Sequence, residues 1–216
     1  MFAKMREPIN ALTHLIGDIL SIIGLVFLLY YAVVRGTPWH IATFSVFGVS
    51  LILLYTASTL YHALNLSEKK IEILQKIDHM MIYILIAGTY TPVCLIALRG
   101  IWGWSLFASI WAIAIMGILF KIFWFNAPRG LSTLIYIVMG WLVVVAFVPL
   151  VNAISPKGLG WLVAGGVLYT VGGIIYGTKR PKINFELLGF HEIFHLFVLG
   201  GSMCHFWFML HYILYL

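Results

Sequence analysis

The sequence predicts an all-α integral membrane protein: a bundle of seven transmembrane helices forming one domain over residues 1–216. Three observations predict it. Hydrophobic side chains make up 62% of the chain and charged ones only 9%, against roughly 25% charged in a soluble domain. Seven apolar runs each reach the ~20 residues a helix needs to cross a bilayer. Those runs are continuous rather than alternating, which excludes a strand barrel.

The runs are 12–34, 40–62, 76–98, 103–124, 131–151, 159–178 and 188–212. Short polar linkers rich in Gly and Pro separate them, as at Arg35-Gly36-Thr37-Pro38, Leu66-Ser67-Glu68-Lys69-Lys70 and Asn126-Ala127-Pro128-Arg129-Gly130. The first run is no cleavable leader: it is too long, carries Asp18 and lacks a small-residue site before Arg35. The sixth holds Gly165, Gly166, Gly172, Gly173 and Gly177, small residues that let helices approach closely in lipid. Cys94 and Cys204 lie in different runs and form neither a disulfide framework nor a metal-binding pair of the CxxC kind.

The net charge of +6 does not point to nucleic acid, because the charges sit at the ends of the runs. Alternate ends are unequal. Lys4, Arg6, Lys69, Lys70, Lys76, Lys121, Arg129, Lys179, Arg180 and Lys182 fall on one side, and Arg35, Arg99 and Lys157 on the other. The positive-inside rule therefore places the amino terminus in the cytoplasm and the carboxyl terminus outside.

Ionisable groups inside a membrane span are costly, so each is a functional candidate. His191 and His195 are four apart and share one helix face, about 40° apart in azimuth. His62 closes the second run at the same membrane face, and Asp78 and His79 open the third there. Three imidazoles at one depth suit a metal, and zinc with three protein ligands keeps an open position for chemistry. Asp78 is then placed to hold a water or accept its proton. Ser58, one turn before His62, is read either as orienting that imidazole, as a donor to a developing oxyanion, or as a serine bonded back to its own helix. Glu7, Asn10, His14 and Asp18 fall within an arc of about 80° on the first helix. Two readings stand for this stripe: it locks the helix to its neighbours, or it takes part in the site. His191-Glu192-Ile193-Phe194-His195 also reads H-E-x-x-H, the zinc-peptidase pattern, but no further ligand of the usual extension follows, so Glu192 ranks below Asp78. His40, His205 and His211 lie towards the outer face and are read as interfacial or structural.

Taken together, Glu7-x-x-Asn10-x-x-x-His14, Ser58-x-x-x-His62, Asp78 and His191-x-x-x-His195 resemble the haemolysin III family, the bacterial branch of the progestin and adiponectin receptor (PAQR) family. The resemblance covers the whole chain, with the motifs in order on the right helices. It implies a seven-helix protein of the plasma membrane, with zinc held by His62, His191 and His195 and a water bridged to Asp78. It places the chain near membrane-embedded hydrolases of lipid amides, such as alkaline ceramidases, with membrane lipids as partners and lipid homeostasis as the role. The alternatives are a non-enzymatic sensor of membrane state with a structural zinc, and a haemolytic pore. The long amino-terminal domain of the receptors is not seen here.

Overall fold

A computed structural model describes residues 5–182 and 189–216. Among them the chain is all helical, with seven helices long and apolar enough to span a membrane. They are α1 (Pro8–Arg35), α2 (Pro38–Ala63), α3 (Glu68–Ala97), α4 (Ile101–Phe123), α5 (Arg129–Ala153), α6 (Pro156–Thr178) and α7 (Phe190–Tyr215). The expected start of the seventh run at Leu188, and Lys4 of the charge tally, lie outside the described residues.

Helix starts follow local chemistry. Pro8, Pro38 and Pro156 each occupy the first turn, where a missing N–H costs nothing. At Thr37 the backbone N–H donates to His40 Nδ1 at 3.0 Å. At α7 the Gly189 N–H donates to the Glu192 carboxylate at 2.8 Å, closing the first turn. These two contacts give His40 and Glu192 capping roles.

One boundary differs from expectation. The hydropathy of the third run rises only near residue 76, yet α3 begins at Glu68. Hydropathy marks the part that lipid surrounds. The first turns of α3 carry Glu68, Lys69, Lys70 and Glu72 and extend the helix beyond the apolar stretch, with a Glu72–Lys76 pair at 2.7 Å. Asp78 is therefore nearly three turns inside α3 and does not open it.

Two helices are irregular for identifiable reasons. Pro92 removes one ladder donor from α3, and residues Val93–Ala97 shift to wider π turns. The segment ends at Gly100, whose φ of +97° favours glycine. In α5 the α-helix stops at Gly140 and a 3₁₀ stretch, Leu142–Ala146, follows. Broken backbone in lipid needs partners. Tyr90 supplies them: its hydroxyl donates to the Gly140 carbonyl at 2.7 Å and accepts from the Val143 N–H at 2.8 Å. Trp141 Nε1 donates to Thr170 Oγ1 of α6 at 2.8 Å.

Sequence neighbours pack side by side from α1 to α4, and α6 lies along α7, which closes the bundle onto α1. The fifth helix packs mainly on α6 and α3. Gly165 sits against His205 and Gly172 against Phe197, so the glycines of α6 bring α7 close, as their size predicts. Phe44, Phe47, Tyr83, Ile110 and Phe208 fill the interior, whereas Val26, Val33, Val145 and Val148 point outward to lipid. Among the described residues Lys121 is the exception in charge: it is buried, and Nζ donates to Ser132 Oγ at 2.6 Å, tying α4 to α5.

Candidate metal centre

The antiparallel order brings the start of α1, the end of α2, the first half of α3 and the start of α7 to the amino-terminal end of the bundle. There His62, His191 and His195 converge. One ligand atom from each lies within 4.8 Å of the other two, and His62 and His195 are almost wholly buried. Ring centroids are 4.7 Å apart for His191 and His195, 5.0 Å for His62 and His191, and 5.1 Å for His62 and His195.

The hydrogen bonds define which nitrogens are free. His62 Nδ1 lies 2.6 Å from Glu7 Oε2, so Nδ1–H donates to the carboxylate. His62 Nε2 is buried with no partner among the described residues. Thr13 Oγ1 donates to the Asn10 carbonyl at 2.9 Å and lies 3.1 Å from His195 Nδ1. Its oxygen lone pair therefore accepts from Nδ1–H, which leaves His195 Nε2 as the lone-pair nitrogen. Burying His62 Nε2 unpaired is costly, and a cation satisfies it. The donor set of three neutral imidazoles, two of them with committed Nδ1 hydrogens, fits a divalent metal of the zinc kind.

Glu7 sits just ahead of α1 and gathers several groups. Its backbone N–H donates to the His62 carbonyl at 3.0 Å, Asn10 Nδ2 donates to Oε2 at 3.2 Å, and Arg6 lies 3.1 Å from Oε1. The hydrogen bond from His62, with the Arg6 guanidinium beside it, outweighs partial burial and holds the Glu7 carboxyl down at about 2. Arg6 stacks over Tyr61 at 4.3 Å.

The centre opens on a cavity of about 240 Å³. His191, His195, Asp78, Ser58, Glu7 and His14 all contribute to its wall. Lining residues recur from Asp78 to Tyr90 on α3 and from His191 to His205 on α7, so the cavity follows the helix axes for about 20 Å. Its further walls are largely apolar, with Ile82, Leu85, Ile86 and Val198 among them.

The remaining expected residues divide. Glu7 and Asn10 reach the centre, and His14 stacks on His195 at 3.5 Å. Asp18 instead accepts from Thr56 Oγ1 at 3.0 Å and pins α1 to α2 away from the histidines. Of the readings for Ser58, orientation of His62 does not hold: Glu7 occupies Nδ1 and Nε2 has no partner among the described residues. Glu192 caps its own helix. His79 meets the Tyr176 hydroxyl at 3.2 Å, on the cavity wall rather than with the triad. His205 is no interfacial residue: it is buried, lines the far part of the cavity and places Nε2 3.3 Å from the Leu162 carbonyl. Thr13 escapes a reading of the sequence, since it lies about 60° outside the stripe of Glu7, Asn10, His14 and Asp18.

Fold and site define a multi-pass membrane protein that gathers three histidines, able to hold a metal ion, at one end of a seven-helix bundle. The family described as Haemolysin-III related matches residues 2–206, and the chain belongs to it. The chain is similar to "Hemolysin-3 homolog" of Bacillus subtilis, 47% identical over 212 residues that cover 98% of this chain and 96% of that one. It is also similar to "Hemolysin-3" of Bacillus cereus, 48% identical over 210 residues, with 97% and 92% covered. A more distant relative is "Adiponectin receptor protein" of Drosophila melanogaster, 25% identical over 235 residues that span 95% of this chain and 50% of that protein.

Proposed function

We propose that this protein is a zinc-dependent hydrolase of lipid amides, ceramidase-like, working on lipids of the plasma membrane and contributing to their homeostasis. The observation that carries the reading is the convergence of three imidazoles, two of which, His191 and His195, line the same long apolar cavity as Asp78. His62, His191 and His195 would hold the ion, and zinc bound there would supply Lewis acidity that polarises a carbonyl and acidifies a water.

The chain's own groups do the rest. The apolar length of the cavity takes the acyl chain and sets its carbonyl beside the histidines. Asp78 accepts the proton of the attacking water. Ser58 donates to the carbonyl oxygen as negative charge develops there. The new C–O bond forms, the C–N bond breaks, and the amine leaves with the proton, giving a fatty acid and an amine. The lysine and arginine bias puts the amino-terminal end, and so this chemistry, at the cytoplasmic face.

The test joins metal analysis of the purified protein with hydrolysis of a ceramide-like substrate, wild type beside His195→Ala. Stoichiometric zinc and turnover, both lost in the variant, support the reading. Full turnover by metal-free protein overturns it. The near-complete burial of His62 and His195 also suits a second reading, a structural zinc clasp between α2 and α7 in a non-enzymatic sensor. In that case Asp78→Asn leaves cellular function intact.

A further inference from the structure

Metal-binding histidines on α2 and α7 are only as good as the groups that aim them. An imidazole has two nitrogens, and a metal needs the right one deprotonated and its ring held in place. The contacts that aim His62 and His195 come from one helix that supplies no ligand. Glu7, at the head of α1, accepts from His62 Nδ1–H at 2.6 Å. Thr13, in its second turn, accepts from His195 Nδ1–H at 3.1 Å. His14, next in the chain, lies parallel to His195 with ring centroids 3.5 Å apart. Both nitrogens of His14 are buried without a partner among the described residues, and its contact with His195 is made through the ring face.

We propose that α1 is the positioning element of the metal centre: Glu7 and Thr13 select the tautomers of His62 and His195, and so present Nε2 of each to the ion. The proposal rests on the metal-centre reading above. The two contacts differ in kind. Glu7 is a carboxylate, which strengthens the basicity of His62 as well as orienting it. Thr13 is neutral, and its own hydroxyl hydrogen is already committed to the Asn10 carbonyl. That commitment makes Thr13 an acceptor towards His195, whereas a freely rotating hydroxyl could equally donate. Two residues separated by less than two turns thus serve histidines on two different helices.

The chemistry sets which variants are informative. Thr13→Val keeps shape and removes the acceptor; Thr13→Ser restores the acceptor. Glu7→Leu removes acceptor and charge; Glu7→Gln keeps an acceptor oxygen without the charge. Asp18→Asn is the control for general loosening of α1, because Asp18 fastens α1 to α2 through Thr56, away from the histidines.

The experiment is zinc affinity by chelator competition on purified protein in detergent, with the visible spectrum of the cobalt-substituted protein read alongside and helicity checked by circular dichroism. The expected result is a loss of about 10–100-fold in zinc affinity for Thr13→Val and for Glu7→Leu. Helicity is retained, the cobalt bands are shifted, Thr13→Ser behaves like wild type, and Glu7→Gln falls between. Wild-type affinity in Thr13→Val and Glu7→Leu overturns the inference and leaves the metal centre standing. An equal loss in Asp18→Asn also overturns it, since α1 would then act by packing alone. A wild-type protein that binds no metal overturns both this inference and the reading beneath it.

Discussion

The imidazole of His14 lies parallel to that of His195, with ring centroids 3.5 Å apart and planes 15° apart. A stack of this kind uses the face of the ring and asks nothing of its nitrogens. His14→Phe is therefore expected to bind metal as wild type does, because a phenyl ring preserves the face. If His14 were a ligand, the same variant would lose affinity along with His195→Ala. A zinc titration of both variants decides.

Asp78 lies on the cavity wall with His191 and His195 and is not part of the group of converging ligand atoms. Asp78→Asn should keep full metal content while turnover of a lipid amide falls by about 10²–10⁴-fold, the usual worth of a positioned acid or base. Metal content and rate measured on one preparation separate this from a ligand role.

Removing the metal should loosen the bundle. A ligand that binds only the folded state, at a free concentration 100 times its dissociation constant, adds about 2.7 kcal/mol of stability. Chelation is expected to lower the melting temperature in detergent, and added zinc to restore it. His62→Ala should start at the lower temperature and respond to neither treatment.

Protons compete with the metal for the same lone pairs. A metal needs each imidazole neutral, so the sign is fixed: affinity falls as the pH is lowered. With three imidazoles involved, the fall should be steeper than one proton per ion. Zinc release followed by an indicator dye as the pH is lowered reads both the direction and the slope.

A stability prediction stands apart from the site. The Tyr90 hydroxyl bonds both sides of the break in α5, at the Gly140 carbonyl and the Val143 N–H. Tyr90→Phe leaves the N–H buried without its partner, at a cost of about 1–3 kcal/mol. Thermal unfolding in detergent should show the loss, with zinc content unchanged.

Several of these residues are legible in the amino-acid sequence alone. Spacing four on a helix pairs His191 with His195, and the alternation of spans brings His62 and Asp78 to their depth. Glu7 and His14 stand out as polar groups on an apolar helix. Thr13 does not, because a threonine can return its hydroxyl to its own backbone and so sits in lipid without drawing notice. The early start of α3 is hidden for a related reason: hydropathy measures transfer into lipid, while helix formation continues into water wherever the backbone bonds permit.

By itself the sequence determined how many times the chain crosses the membrane, that it does so as helices, and which polar side chains share a depth. Those properties depend on transfer free energy and on the helical repeat, both local along the chain. Only the tertiary structure decided that Glu7 rather than Ser58 holds His62, that Asp18 turns away to Thr56, and that Thr13 meets His195. Those outcomes depend on how each helix is rotated about its axis against its neighbours. That rotation is set by side-chain packing between segments far apart in the chain, such as Tyr55 filling the space beside Gly17.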